Sequence, residues 1–256
     1  MMLSLHDLHI GYAEDASRHI VAEALSALLP KGVMACLVGA NGVGKSTLMR
    51  TLSGFQPPLR GEVRIDGKSI GEYTPRGLSE RVGVVLTERE STPDLTVEEV
   101  VAIGRMPYTN FWGSLSKADA HAVDEAIELV GIEALRHKKI GRVSDGERQK
   151  VMIATALAQQ TGIILLDEPT AFLDYGSKVS VMRLLQRLAH EQDKAILLST
   201  HDLEIAFQTA DELWILQHDG LQTGTLDALE QRGAVSAFLA TNGLRYEAEN
   251  KRIILV

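Results

Sequence analysis

Residues 39–47, which read GANGVGKST, constrain the fold more than any other segment of the chain. They fit the pattern G-x-x-x-x-G-K-[ST], in which a glycine-rich loop joins a strand to a helix and binds phosphate. The apolar run at 33–38 predicts a buried strand before the loop, and the spacing of 46–52 predicts a helix after it. A glycine-rich turn without a ligand is the alternative, and the agreement of strand, glycines, lysine and serine argues against it.

Each residue type in this P-loop has a chemical purpose. The glycines allow backbone angles that a side chain would forbid, so the amides can turn toward a phosphate chain. Lys45 is expected to reach the β- and γ-phosphates of a nucleotide, and the Ser46 hydroxyl to bind Mg²⁺. The predicted nucleotide-binding residues of the loop are Gly39, Asn41, Gly42, Gly44, Lys45, Ser46 and Thr47.

Composition narrows the class of protein. The net charge of −8 over 256 residues argues against general nucleic-acid binding, which needs clustered cations. The single cysteine, Cys36, allows no internal disulfide and is expected to pack as a small apolar residue. No apolar run reaches the roughly 18 residues that a membrane-spanning helix needs.

Short apolar strands alternate with helical patterns, which predicts an α/β fold. The strand Ile163–Leu166 is apolar throughout, as is typical of a parallel sheet that is buried on both faces. Strands are predicted at 3–10, 33–38, 62–65, 82–86, 163–166, 195–199 and 213–216, and helices at 147–159, 177–190 and 203–208.

Residues from about 89 to 143 differ, because they hold two helix starts and no clear strand. Both starts fit capping boxes, in which an acid follows a serine or threonine by three residues: Thr96 with Glu99, and Ser116 with Asp119. The sequence therefore predicts a helical sub-lobe inserted in a P-loop sheet domain over 1–220. A small C-terminal appendage is predicted over 221–256, with two short helices and a hairpin at 244–248 and 252–255.

Two carboxylates follow a predicted buried strand directly. Such a strand brings Asp167 and Glu168 to the carboxyl edge of the sheet, where ligands bind. Asp167 is expected to hold Mg²⁺ through water, and Glu168 to orient or deprotonate the attacking water. An ordinary acidic turn is the alternative, and a P-loop upstream in the same chain favours the catalytic interpretation.

The segment 143–149 opens a helix. Ser144 or Asp145 suits the N-cap, and Gly146 allows close approach to another backbone. A plain capped helix explains the segment equally well on local grounds.

The order of these motifs resembles the ATP-binding subunit of ABC transporters over roughly residues 1–220. The order is P-loop, Ser-x-Gly-x-x-Gln, apolar-Asp-Glu-Pro-Thr, Leu-Asp and Ser-Thr-His-Asp. The resemblance implies that Ser144 and Gly146, in the signature motif, contact the γ-phosphate of ATP held by a second copy. It implies that Asp174, in the D-loop, faces the partner's P-loop.

The resemblance also suggests two further contacts. His201 looks like the switch histidine that contacts the γ-phosphate, and its place at a strand end favours this over a bystander role. Tyr12 matches the aromatic that stacks on adenine, and a routine strand-end tyrosine is the alternative.

The chain departs from the family pattern in three places. Asp145 and Glu147 replace a small residue and the usual glutamine of the signature, and activity is expected to be kept. Ala171 replaces the common D-loop serine. Glu88 aligns with the Q-loop glutamine and is expected to bind Mg²⁺ in its place.

The resemblance implies an ATP-hydrolysing subunit of an importer for iron-siderophore, haem or cobalamin, with ATP and Mg²⁺ as cofactors. The implied partners are a second copy, transmembrane permease subunits and, indirectly, a substrate-binding protein. The implied location is peripheral, at the cytoplasmic face of the inner membrane.

The segment 105–113, with Tyr108, Phe111 and Trp112, fits either a docking surface or the sub-lobe core. The alternative function is a soluble ABC ATPase, such as the scaffold ATPase of iron–sulfur cluster assembly.

Overall fold

A computed structural model of the protein describes residues 2–14, 17–86, 94–110, 113–241, 243–247 and 252–255. The strands are β1 (Leu3–Glu14), β2 (Ser17–Leu29), β3 (Met34–Val38), β4 (Arg60–Ile65), β5 (Lys68–Ser69), β6 (Val82–Val85), β7 (Ile163–Leu166), β8 (Ala195–Ser199), β9 (Glu212–Gln217), β10 (Gly220–Gly224), β11 (Leu244–Glu247) and β12 (Arg252–Leu255). The helices are α1 (Lys45–Leu52), α2 (Pro75–Ser79), α3 (Val97–Ile103), α4 (Lys117–Val130), α5 (Asp145–Ala158), α6 (Tyr175–Glu191), α7 (Leu203–Thr209), α8 (Leu226–Gln231) and α9 (Ala234–Ala240). The predicted α/β fold is confirmed.

The larger sheet has the strand order β10-β9-β3-β8-β7-β6 and is parallel except for β10. Every residue of β3, β7 and β8 is buried. Alternate side chains serve two cores: Cys36 and Ile164 pack toward the helices α3 to α9, whereas Leu37 and Leu165 pack toward α1 and a second sheet. Burial on both faces holds the strands in one register and aligns their carboxyl ends at one edge.

The second sheet is antiparallel, in the order β2-β1-β4-β5. The sequence pattern predicts no strand over 17–29, because residues 22–29 read AEALSALL and favour a helix. Pairing with β1 and burial of Leu25 and Leu29 override that local preference. Register shifts, with Ala24 at a φ of 54°, further hide the alternation that would mark a strand.

The predicted capping boxes at the starts of α3 and α4 are confirmed. A buried arginine ties the end of this helical region together. Arg105 donates from Nε to Asp119 Oδ1 at 2.9 Å and from Nη1 to Ala158 O at 2.6 Å, and its guanidinium lies 3.9 Å from the Tyr108 ring. Hydrogen bonds from the Ser116 hydroxyl and amide, together with Arg105, lower the pKa of Asp119 to about 2.

The two short helices and the terminal hairpin predicted near the C-terminus are confirmed as α8, α9 and β11–β12. The hairpin packs on α7 through an edge-to-face contact of Phe207 and Tyr246, with ring centroids 5.8 Å apart. The division into a 1–220 domain, a sub-lobe at about 89–143 and an appendage at 221–256 remains a prediction. None of the helices in the described ranges has the length and apolarity to span a bilayer.

Replacing Arg105 by alanine should lower the melting temperature by about 5–10 °C, because one partner of a buried ion pair is lost. The exposed Arg183 on α6 is the control, and Arg183→Ala should leave the melting temperature within about 1 °C. Thermal melts followed by circular dichroism test the prediction. Equal melting temperatures for the two variants would remove Arg105 from this structural role.

Candidate active site

The loop between β3 and α1 can accept only glycine at two positions. A Cβ on Gly39 would lie 2.5 Å from the carbonyl oxygen of Leu216. At Gly44 the φ is 112°, and a Cβ would lie 2.4 Å from Val21 Cγ1. The two glycines therefore let the loop backbone pass close to its neighbours, and the loop leads directly into the N-terminus of α1.

The first turn of α1 differs from that of most other helices in this chain. Gly44 has no side chain to cap α1, whereas α2 to α6 and α8 begin with serine, threonine or aspartate side chains that accept an amide hydrogen bond. An anion suits such an uncapped start, because the amides and the helix dipole both favour negative charge.

The ammonium group of Lys45 lies inside this loop. It donates to Gly39 O at 2.9 Å and to Ala40 O at 3.0 Å. Burial lowers the pKa of Lys45, and attraction to Glu168 and Asp167 opposes that shift. Lys45 thus lies in the electrostatic field of both predicted catalytic carboxylates.

Asp167 and Glu168 follow β7, and one hydroxyl from β8 holds both. Ser199 Oγ donates to Asp167 Oδ1 at 2.6 Å and accepts from the Glu168 amide at 2.8 Å. Glu168 adopts a φ of 48°, which turns its side chain toward His201, and its Oε1 lies 2.5 Å from His201 Nε2. The structure therefore brings together the predicted acids, the predicted switch histidine and Lys45.

Sequence reasoning missed Ser199. The residue stands directly before Thr200 and His201 in the same strand-end motif, and that position is the signal that could have pointed to it. Asp202 was likewise not singled out, although it pairs with Lys178 at 3.0 Å and accepts from Thr170 Oγ1 at 3.4 Å. The bond from Thr170 joins the segment after β8 to the loop after Glu168, and the ion pair with Lys178 joins it to α6.

Tyr12 lies beside the P-loop and is 42% exposed. Its hydroxyl forms a 3.0 Å hydrogen bond with Thr47 Oγ1. An open cleft of about 690 Å³ adjoins its ring, lined also by Arg50, Phe55 and Gln56. The phenol is therefore held at one end, with its ring beside an open cleft that a planar ring system could enter.

Ser144, Gly146 and Asp174 lie together in a second cluster, at the starts of α5 and α6. A Cβ on Gly146 would lie 3.0 Å from Ser177 Oγ, so the two helices approach closely there. Asp174 accepts from the Ser177 amide at 2.9 Å, and hydrogen bonds from Ser177 lower the pKa of Asp174. Glu88, the third predicted Mg²⁺ ligand, lies outside the described residues, as do Phe111 and Trp112.

Comparison with known proteins gives consistent matches. A family model described as ABC transporter matches residues 22–171. The ferric enterobactin transport ATP-binding protein FepC of Escherichia coli is 37% identical over 210 residues, covering 82% of this chain and 76% of FepC. The iron(3+)-hydroxamate import ATP-binding protein FhuC of Bacillus subtilis is 33% identical over 247 residues, covering 94% of this chain and 90% of FhuC. A solved dimeric cassette in a post-hydrolysis state with ADP and Pi has a TM-score of 0.72 at 25% identity, covering 88% of this chain and 98% of that chain.

This chain belongs to the ABC transporter family. Within the family it is an ATP-binding subunit, a class of subunit that hydrolyses ATP. The resemblance inferred from the motifs is thereby confirmed.

Replacing Ser199 by alanine should lower kcat for ATP hydrolysis by about 10- to 100-fold, as loss of an orienting partner does at other sites. The affinity for ATP should stay within about threefold, because the P-loop contacts are untouched. Steady-state ATPase assays and nucleotide titrations test this, with Ser114→Ala, at an exposed position before α4, as the control. An unchanged kcat in Ser199→Ala would contradict the assigned role.

Proposed function

We propose that this chain is the ATPase subunit of a membrane importer for iron chelates and that it acts as a homodimer. One observation carries the proposal: a single chain holds two separate groups of nucleotide-binding candidates. Lys45, Glu168 and His201 converge at the sheet edge, whereas Ser144 and Gly146 lie at the start of α5. Two copies arranged head to tail would complete each site. The iron-chelate class rests on the named activities of FepC and FhuC.

ATP binding is assigned to the P-loop and Tyr12. The amides of the loop and of the first α1 turn would receive the phosphates, and Lys45 would exchange its carbonyl partners for phosphate oxygens. Tyr12 would place its ring against adenine. The proposed nucleotide contacts of one copy are Tyr12, Gly39, Asn41, Gly42, Gly44, Lys45, Ser46 and Thr47, and those lent by the other copy are Ser144, Gly146 and Asp174.

The oxygen donors at this site suit a Mg²⁺ ion that protein, phosphates and water would bind together. Among the described residues, no three His, Cys, Asp or Glu side chains form a group that could hold a metal by themselves. In nucleotide sites Mg²⁺ needs only one or two protein oxygens, because phosphates and water complete its shell. Ser46 and Asp167 suit that role, with Glu88 as a further candidate. When bound, the ion would neutralise charge on the phosphates.

Hydrolysis is assigned to Glu168. Its carboxylate would take a proton from water while the water oxygen attacks the γ-phosphorus, and the bond to the bridging oxygen of ADP would break. His201, 2.5 Å from the carboxylate, fixes its orientation and can reach the γ-phosphate. Ser199 keeps both acids in position through its bonds to the Asp167 carboxylate and the Glu168 amide.

A groove on the chain suits a permease segment. It has a volume of about 630 Å³ and lies between α1, β4, α2 and β6. Phe55, 64% exposed, lines it together with Tyr73 and Leu78, and aromatic side chains of this kind are enriched at interfaces. Docking there would place the subunit peripherally at the cytoplasmic face of the membrane. The permease would link it indirectly to a substrate-binding protein.

Replacing Glu168 by glutamine should preserve ATP binding, lower kcat by more than about 100-fold and accumulate an ATP-bound dimer. Light scattering coupled to size-exclusion chromatography measures the dimer, with bound nucleotide quantified in the same peak. Glu191→Gln, at an exposed position on α6, is the control and should hydrolyse ATP without accumulating an ATP-bound dimer. Fast turnover in Glu168→Gln, or a failure of this variant to dimerise with ATP, would contradict the assigned roles.

Replacing Leu78, which lines the groove but not the cleft beside Tyr12, by glutamate should abolish co-purification with a polytopic membrane protein and uptake of ferric siderophore by cells. ATP binding should be retained, because the P-loop is untouched. Leu28→Glu is the matched control, since Leu28 is 47% exposed on β2, away from the groove. If the wild-type chain co-purifies at equal stoichiometry with a soluble partner instead, the scaffold-ATPase alternative replaces the importer.

A further inference from the structure

The signature serine is bonded to a carboxylate of its own helix. Ser144 is the N-cap of α5, and its hydroxyl donates to Glu147 Oε2 at 3.0 Å. The Ser144 amide donates to the same oxygen at 2.7 Å, and the Glu147 amide donates to Ser144 Oγ at 3.3 Å. These bonds form a complete capping box. Glutamine is the usual residue of the signature at this position, and Glu147 places a negative charge there in this chain.

The Ser144 hydroxyl has only one proton to donate. While Glu147 Oε2 receives it, a phosphate oxygen cannot. The carboxylate is a strong acceptor, because hydrogen bonds with an ionised partner are about twice as strong as neutral ones. The Ser144 amide is the largest cause of the lowered pKa of Glu147, so the carboxylate is ionised at neutral pH.

Two lysines lie near the Glu147 carboxylate. Lys138 Nζ lies 3.9 Å from Glu147 Oε2, and the side chains of both residues are more than one third exposed. Lys150 also attracts the Glu147 carboxylate and helps to lower its pKa. A cavity of about 360 Å³, lined by Ser144, Gly146 and Glu147, opens directly beside the carboxylate. A γ-phosphate presented to Ser144 would therefore approach both the Glu147 carboxylate, which is a like charge, and the Lys150 side chain that lines the same cavity.

We propose that Glu147 is a positioning residue that raises the ATP concentration at which two copies close. It holds the Ser144 hydroxyl, and it must release that hydroxyl to the γ-phosphate of the nucleotide in the opposite copy. This inference rests on the proposed head-to-tail dimer. It adds that the carboxylate of Glu147 opposes closure of the dimer.

The chain offers a matched control in α3. The Thr96–Glu99 capping box has nearly the same geometry, with Glu99 Oε2 accepting from the Thr96 amide at 2.7 Å and from Thr96 Oγ1 at 2.9 Å. The Glu99 amide donates to Thr96 Oγ1 at 3.3 Å. Glutamine preserves a capping box, so Glu147→Gln and Glu99→Gln make the same chemical change at two helix starts. Only one of these starts belongs to the signature.

The test uses the full chain in the Glu168→Gln background with Mg²⁺ and ATP. Adding Glu147→Gln should lower the ATP concentration for half-maximal dimerisation by about three- to tenfold, since a neutral acceptor holds the hydroxyl less strongly. Glu147→Ala should shift this midpoint in the same direction, and Glu99→Gln should leave it unchanged. Melting temperatures of the two glutamine variants should agree within about 1 °C, which separates positioning from helix stability.

The outcomes separate this inference from the proposed function. If the Glu168→Gln parent fails to dimerise with ATP, the proposed dimer itself is wrong. If the parent dimerises and Glu147→Gln leaves the midpoint unchanged or raises it, the positioning role of Glu147 is wrong and the dimer stands. An equal shift with Glu99→Gln would also overturn the inference, because it would attribute the effect to helix capping in general.

Discussion

Burial of the parallel strands on both faces determines where the functional side chains lie. β3, β7 and β8 have no exposed residue, so none can slip or rotate without moving apolar side chains into water. The P-loop, the Asp167–Glu168 pair and the Ser199–His201 segment each begin where one of these strands ends. Three segments that are far apart in sequence are thereby held at one edge of the sheet.

Local bonds refine what the sheet brings together. The Ser199 hydroxyl joins β8 to the acids after β7, and the unusual backbone angle of Glu168 aims its carboxylate at His201. A positive φ at a glutamate is strained, and such strain persists only where neighbouring contacts maintain it. The Glu168 amide bond to Ser199 is one such contact. Strain and catalytic position therefore coincide at a single residue.

The sequence predicts the parts whose local pattern and tertiary role agree. The P-loop and the strand Ile163–Leu166 are of this kind, because glycine placement and continuous apolarity each have one main structural meaning. β2 is the opposite case. Its residues favour a helix, but they form a strand because they pair with β1. The bonding role of Ser199 depends on the lateral register of β7 and β8, which a single sequence does not specify. The Ser144–Glu147 box is visible as a pattern, but its competition with phosphate follows only from the bond geometry.

Two of the proposed phosphate ligands, Lys45 and Ser144, already have hydrogen-bond partners within the chain. Lys45 donates to carbonyls of its own loop, and Ser144 donates to a carboxylate one turn along its own helix. A triphosphate must therefore replace existing partners, so the net free energy of each new contact is a difference between two bonds. Because the partners to be displaced lie within six residues of each donor, the exchange requires side-chain rotation rather than unfolding. In the proposed dimer, closure would then depend on the balance of charges at these few atoms, and the carboxylate of Glu147 would shift that balance.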